Sequence, residues 1–219
     1  MTGEIRAHSD NESLVRERRN QIMDGALGVF LKKGFHAATT RELARACGMS
    51  EAALYRYIRS KSDILHLMCV YRSSSVEGLE SFRRQLGDIG PVEALRVCLE
   101  YHMGIVDRSQ DTVMFFNRET WEFSHEDRQT LMDRQVKTVE FYEKLLLDGI
   151  EAGEFQMESS FLVAHDIFMK IQTWVLRRWL LRRRFTLETY TKTVFDLILR
   201  SIQPRTDYTR ALKETDTTA

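Results

Sequence analysis

Apolar residues recur at intervals of three and four along most of this 219-residue chain, with polar residues between them. That spacing aligns apolar side chains on one face of an α-helix, whereas a half-buried strand would alternate apolar and polar residues. Proline, which interrupts helices, occurs only as Pro91 and Pro204. The pattern therefore predicts an all-α fold.

Breaks in this periodicity mark the ends of the predicted helices. Their approximate ranges are 15–33, 41–47, 51–58, 61–82, 92–106, 112–123, 125–149, 161–181 and 187–202. Gly34 and Gly48 each follow a helix, where glycine adopts the left-handed conformation without a Cβ penalty. Ser124 precedes another helix and is suited to cap it.

The most specific pattern in the chain lies over residues 38–65. Thr39 or Thr40 is suited to cap one short helix and Ser50 the next, because hydroxyl oxygens accept hydrogen bonds from a first helical turn. Gly48 separates the two helices. Two short helices joined by a glycine turn, the second with small, hydroxyl and basic residues, are typical of a helix-turn-helix, which places its second helix in the DNA major groove.

The distribution of charge agrees with DNA binding by this stretch. The whole chain has 32 basic and 32 acidic residues and hence no net charge, but residues 16–61 contain ten basic against four acidic ones. Such a local excess of positive charge favours contact with the phosphate backbone. The candidate DNA-contacting residues are Thr39, Thr40, Arg41, Ser50, Ala52, Tyr55, Arg56, Tyr57 and Lys61.

This stretch resembles the DNA-binding domain of the TetR family of bacterial transcriptional repressors, over about residues 16–67 and without a gap. The residues that carry the resemblance are Thr39, Gly48, Ser50, Tyr55 and Lys61. It implies a homodimer bound to a palindromic double-stranded DNA operator, with Tyr57 and Lys61 mainly at phosphates. The competing interpretation is a compact three-helix unit that does not bind DNA.

The resemblance also implies the organisation of the rest of the chain. We expect a disordered arm over 1–14, a helix-turn-helix DNA-binding domain over 15–60, a helical ligand-binding and dimerisation domain over 61–202, and a flexible tail over 203–219. The helix over 61–82 would link the two domains. In the family the last two long helices pair with their copies in a second subunit. Here these helices have apolar residues to spare for such an interface, namely Phe161, Phe168, Ile171, Val175, Trp179, Tyr190, Val194, Leu197 and Ile198.

One helix face in the larger domain carries an unusual mixture of charge and aromatic surface. Lys170, Trp174 and Arg178 are spaced four residues apart, and six basic but no acidic residues lie between positions 170 and 184. Apolar residues are interleaved with them, which suits an amphiphilic ligand with phosphates at one end. The alternative is that Trp174 belongs to the core and that the basic residues pair with acids across the helical bundle.

The same helix and the FFNRETWEF stretch at 115–123 resemble the TetR repressors that respond to acyl-coenzyme A thioesters in fatty-acid or steroid catabolism. The resemblance implies that basic residues and a tryptophan hold the coenzyme A part while the acyl chain enters the helical core. The candidate ligand-binding residues are Met103, Phe116, Asn117, Trp121, Lys170, Trp174, Arg177 and Arg178. Lys170 stands where arginine would bind phosphate in a bidentate manner.

Other features narrow the function. Cys47, Cys69 and Cys98 are widely separated in apolar helical surroundings, so we expect buried thiols in a reducing compartment. Glu122 and His125 form a single ExxH pair, which is insufficient for a di-iron site, and no catalytic motif occurs. We therefore expect no metal, no cofactor and no enzymatic activity. Without a signal peptide or a membrane-spanning run, the protein should be cytoplasmic.

These observations predict a one-component repressor that is released by a small amphiphilic effector, and the resemblance implies that this effector is an acyl-CoA. Two alternatives stay open at this point. One is a regulator of efflux or stress genes that responds to a lipophilic compound without coenzyme A. The other is a ligand-independent module that binds DNA or an acidic protein partner.

Overall fold

The computed structural model describes residues 12–72 and 76–203, and all regular elements in these ranges are helices, which confirms the all-α prediction. They are α1 (Glu12–Lys33), α2 (Thr40–Ala46), α3 (Glu51–Leu54), α4 (Lys61–Arg72), α5 (Val76–Gln85), α6 (Pro91–Arg108), α7 (Gln110–Glu119), α8 (His125–Glu151), α9 (Ser160–Leu176), α10 (Arg178–Leu181) and α11 (Leu187–Ile202). A short 3-10 helix, Thr120–Glu122, lies between α7 and α8. Residues 1–11 of the predicted arm and 204–219 of the predicted tail lie outside the described residues.

Two of the longer predicted helices each correspond to a pair of observed helices. The helix predicted over 61–82 corresponds to α4 and α5, and its continuity through residues 73–75 falls outside the described residues. The single helix predicted over 161–181 is wrong, because the backbone at Arg177 has φ −114° and ψ 22° and separates α9 from α10. A break at one residue leaves the apolar spacing on either side intact, so periodicity could not reveal it.

The chain packs as two units that are interleaved in sequence. Of the described residues, the first unit contains 12–72 together with 109–135, and the second contains 76–108 together with 136–203. The sequence instead predicts contiguous domains. The difference arises because α7 packs on α1, with the ring of Phe115 stacked 5.7 Å from that of Phe30.

The first unit is built around the predicted core of the helix-turn-helix. Ile22 and Phe30 of α1, Leu43 of α2 and Leu54 of α3 are fully buried, and Phe115 of α7 joins them. Burying these side chains is the main stabilising term for so small a unit. The core therefore fixes how α2 and α3 are held against α1.

The second unit surrounds α6, which packs against α5, α9 and α11. His102 of α6 lies 3.1 Å from the hydroxyl of Tyr142 of α8, and both side chains are buried.

The three cysteines are free and buried as predicted, and burial raises the pKa of each thiol to about 11. Within the ranges that the structure describes, no helix is long and apolar enough to span a membrane.

Candidate DNA interface and ligand surface

Helix α2 begins with a capping box. The hydroxyl of Thr39 accepts a hydrogen bond from the N–H of Glu42, and the Glu42 carboxylate accepts one from the N–H of Thr39. Lys33 donates to the same carboxylate and, with Thr39, lowers the pKa of Glu42 to about 2. Two backbone N–H groups that have no acceptor within the helix are thereby hydrogen-bonded. This confirms the predicted cap and fixes where α2 begins.

Helix α3, the candidate recognition helix, begins at the predicted cap. The N–H of Ala53 donates to the Ser50 hydroxyl at 3.1 Å, and Gly48 has the predicted positive φ of 65°. The regular helix ends at Leu54, not near residue 58 as predicted, because the N–H groups of Arg56 and Tyr57 bond three residues back and tighten the turn. Ala52, Tyr55 and Arg56 are exposed and Tyr57 is half-buried.

Glu51 joins the two helices of the motif. Its carboxylate accepts hydrogen bonds from the Nε of Arg41 at 3.1 Å and from the hydroxyl of Thr40 at 3.2 Å. Both donors are candidate DNA contacts, and the Arg41 side chain is well exposed. An exposed pair of this kind is weak, so Arg41 can exchange Glu51 for a phosphate at little cost.

Lys61, the first residue of α4, holds the loop between α1 and α2. Its Nζ donates hydrogen bonds to the carbonyl oxygens of Phe35, His36 and Ala38 at 2.6, 3.1 and 3.0 Å. An ammonium has three donors, so these bonds use all of them. Lys61 therefore has a structural role, and its contact with phosphate stays a prediction.

Replacing Lys61 with methionine is expected to lower the free energy of unfolding by about 2 kcal/mol, because three carbonyl oxygens lose a charged donor. Urea denaturation measures this loss. The salt dependence of DNA binding tests the phosphate contact, since one lost contact lowers the slope of log K against log salt by about one. The predicted phosphate contact would lower the slope by that amount, and an unchanged slope would limit Lys61 to its structural role.

The exposed Lys32, in the last turn of α1, supplies the control, because Lys32→Met makes the same change of charge without touching the loop. A Lys61→Met protein with unaltered stability and a reduced salt slope would show that Lys61 binds phosphate and does not hold the loop.

The end of α7 also holds the end of α1 and the loop that follows it. The sequence did not predict these contacts. Arg118 donates to the carbonyl oxygens of Phe30 and Leu31 at the end of α1, and the buried Glu119 accepts from the N–H of Phe35. These partners lie more than eighty residues apart in the chain. The DNA-binding helices therefore depend on side chains far outside the helix-turn-helix motif.

Two histidines add to this connection within the first unit. His36, in the loop, pairs with Glu122 at 2.7 Å, and His66 of α4 lies 2.6 Å from the Asp127 carboxylate of α8. Ser124 caps α8 by accepting from the N–H of Asp127, as the sequence predicts. Glu122 of the predicted ExxH pair is thus engaged by a histidine from another element.

The predicted ligand face of α9 is only partly assembled. Trp174 is 2% exposed, and its indole N–H donates to Asp107 at 2.8 Å. Of the two interpretations of Trp174, the structure therefore favours the core residue over the ligand contact. Lys170 pairs with Asp166 of its own helix at 3.3 Å. Arg177 and Arg178 are exposed, but they follow the end of α9 and do not continue its face.

The four residues predicted at the acyl end are divided between the two units. Met103 is buried in α6 of the second unit, whereas Phe116, Asn117 and Trp121 belong to the first. Asn117 donates to a carbonyl of its own helix, and Trp121 is 77% exposed. Within either unit, therefore, these side chains do not form one apolar site.

Several apolar side chains of the second unit are exposed on the helices predicted to dimerise. On α9 and α10 they are Phe161, Leu162, Met169, Trp179 and Leu180, and on α11 Leu197. The other predicted interface residues, among them Ile171, Val175 and Ile198, are buried within the unit. Fewer of the predicted interface side chains are therefore exposed than the sequence predicts.

Comparison with known proteins adds two family matches. A model described as bacterial regulatory proteins, tetR family, matches residues 22–68, and one described as tetracyclin repressor-like, C-terminal domain, matches residues 88–202. The second match alone spans more than half of the 219 residues.

Individual proteins are similar over most of the chain. The HTH-type transcriptional regulator HbdR of Aromatoleum sp. (strain CIB) is 27% identical over 180 residues, which are 82% of this chain and 78% of that protein. The structure of the ketosteroid transcriptional regulator KstR2 of Mycobacterium tuberculosis has a TM-score of 0.69 at 19% identity and covers 92% of this chain and 100% of its own. AibR, in complex with isovaleryl coenzyme A and operator DNA, has a TM-score of 0.66 at 22% identity and covers 82% and 97%. The two structures share the fold described above.

Proposed function

Because the chain belongs to the TetR family of bacterial transcriptional regulators, we propose that it is a repressor that binds a palindromic operator as a homodimer. We propose further that a small amphiphilic effector, an acyl-coenzyme A thioester, releases it. The observation that carries the proposal is the capped helix pair α2–α3, which presents Ser50, Ala52, Tyr55 and Arg56 on one exposed stretch.

The DNA-binding part of the proposal follows from this geometry. The N-terminal residues of a recognition helix contact base edges, and Ser50 and Ala52 occupy that position on α3, with the exposed Tyr55 at the C-cap of the same helix. Arg41 and Arg56 are exposed beside them and suit phosphates. The first contacts set sequence preference and the second set register on the duplex.

The homodimer is supported by the exposed apolar residues of α9 and α11. Side chains such as Leu162, Met169 and Leu197 gain from burial against a second copy. A two-fold pair also reads two half-sites, whereas one short recognition helix reads few base pairs. The effector would change the separation of the two recognition helices so that they no longer fit successive major grooves.

An acyl-CoA effector is supported by the isovaleryl coenzyme A bound to the similar regulator AibR. The exposed Arg177 and Arg178 are the phosphate contacts that the sequence predicts. Release by a lipophilic compound without coenzyme A, and binding to DNA without any effector, are the outcomes that would replace it.

Footprinting of the DNA around the protein's own gene tests the proposal. We expect one protected palindrome, whose protection is lost when octanoyl-CoA is added and kept when octanoate or free coenzyme A is added. Absence of a protected palindrome would overturn the repressor assignment. Protection that persists with acyl-CoA thioesters of short, medium and long chain would overturn the effector assignment alone.

A further inference from the structure

A groove in the second unit lies between α5 and α8. Its volume is about 730 Å³, and its floor is formed by Val76, Phe141 and Leu145, all buried. Helix α5 packs on α6 through the stacked rings of Phe82 and Tyr101, 4.0 Å apart, and leaves its other side open to the groove. Sites for small molecules typically have volumes of roughly 300–1,000 Å³ and apolar floors.

The rim of the groove is charged, and most of its charges are not paired. On α8, Lys137, Glu140, Lys144 and Asp148 form no ion pair with any residue in the ranges 12–72 and 76–203. On α5, Arg84 lies 3.9 Å from Glu80, the limit of an ion pair. The two rims therefore face each other without bridging the groove.

The charge pattern favours one end of the groove for an anion. Lys144 stands one helical turn from both Glu140 and Asp148, so acids on either side offset its charge. Arg83 and Arg84 are adjacent in the last turn of α5 and both line the groove; Arg83 donates a hydrogen bond to the carbonyl oxygen of Gly87 at 3.0 Å. Each guanidinium group can bind two phosphate oxygens at once, and both groups border the same end of the groove.

We infer that this groove is the effector site, with the acyl chain of a coenzyme A thioester on the floor and its phosphates at Arg83 and Arg84. The inference rests on the proposed effector class and assigns it a place. Helix α9 is a poorer place for the ligand, because Trp174 is buried and bonded to Asp107, and Lys170 is paired. The predicted contacts at Arg177 and Arg178 are the rival site.

Isothermal titration calorimetry of the full chain with octanoyl-CoA tests the inference. Glu80→Trp places an indole across the groove from an exposed position, and Glu100→Trp on α6 is its matched control. Each glutamate has a side chain 50% exposed and pairs with an arginine one turn away. The paired substitutions Arg83→Glu with Arg84→Glu, and Arg177→Glu with Arg178→Glu, make the same charge change at the groove and at the rival site.

We expect Glu80→Trp and the Arg83/Arg84 variant to weaken binding by about tenfold or more, and Glu100→Trp and the Arg177/Arg178 variant to stay within about twofold of the unaltered protein. An octanoyl-CoA analogue with a diazirine on its chain should cross-link to peptides containing Phe141 or Leu145. Binding that is weakened at Arg177/Arg178 and unchanged in the groove variants would overturn the inference and leave the effector class standing. An unaltered protein that binds no acyl-CoA would overturn both.

Discussion

Replacing Gly25 with alanine is expected to destabilise the first unit by about 1–3 kcal/mol and to weaken operator binding with it. Gly25 lies in α1 where α2 crosses it. A Cβ atom there would lie 2.8 Å from the Cys47 sulfur and 2.9 Å from the carbonyl carbon and oxygen of Ala46. Backbone atoms cannot rotate away as a side chain can, so α2 would have to move from α1.

Gly28 provides a matched control in the same helix. A Cβ atom at Gly28 meets nothing within 4 Å, so Gly28→Ala should be neutral or stabilise by up to about 1 kcal/mol through the better helix propensity of alanine. Urea denaturation of both variants, followed by titration with operator DNA, measures the two effects. Equal stability of the Gly25 and Gly28 variants would show that α2 does not need this close approach.

Gly25 also illustrates what the sequence could not predict. Within a helix a glycine normally indicates only a weak helix former, and the close approach of Ala46 and Cys47 becomes visible once α1 and α2 are packed together. The caps at Thr39, Gly48 and Ser50 were predictable, because their hydrogen bonds and backbone angles depend on residues only a few positions away.

The same distinction separates the predicted from the unpredicted parts of the ligand surface. The i, i+4 spacing of Lys170 and Trp174 correctly places them on one helix, but spacing gives no sign that Asp107, sixty-seven residues away, takes the indole N–H. The groove likewise requires α5 and α8 to lie apart with charged rims. The sequence shows the charges on each helix, yet only the packing of α5 against α6 places them opposite one another.

The buried His102 makes stability depend on pH in a direction that can be worked out. Desolvation by burial lowers the pKa of His102 from 6.5 to about 4, since the charged imidazolium is disfavoured in the core. Between these values the unfolded chain binds a proton that the folded chain does not. The stability contributed by neutral His102 is therefore present above pH 6.5 and decreases as the pH falls towards 4, by about 3 kcal/mol in all.

His102→Asn tests this dependence. The asparagine amide can keep a hydrogen bond to the Tyr142 hydroxyl, now 3.1 Å from the imidazole, and it does not titrate. Compared with the unaltered protein, the variant should be less stable at pH 7.5, and the difference should shrink by about 3 kcal/mol as the pH is lowered to 4. Urea denaturation at successive pH values measures that difference.

The exposed His36 is the control for the change of residue type, because its side chain is 80% exposed and lies in the loop before α2. His36→Asn makes the same substitution at an exposed position without altering the core, so it separates the general effect of replacing a histidine by asparagine from the effect of burial. A difference for His102→Asn that stays constant from pH 7.5 to 4 would mean that the imidazole is protonated in the folded core. In that case Tyr142, or water that reaches the site, must stabilise the buried positive charge.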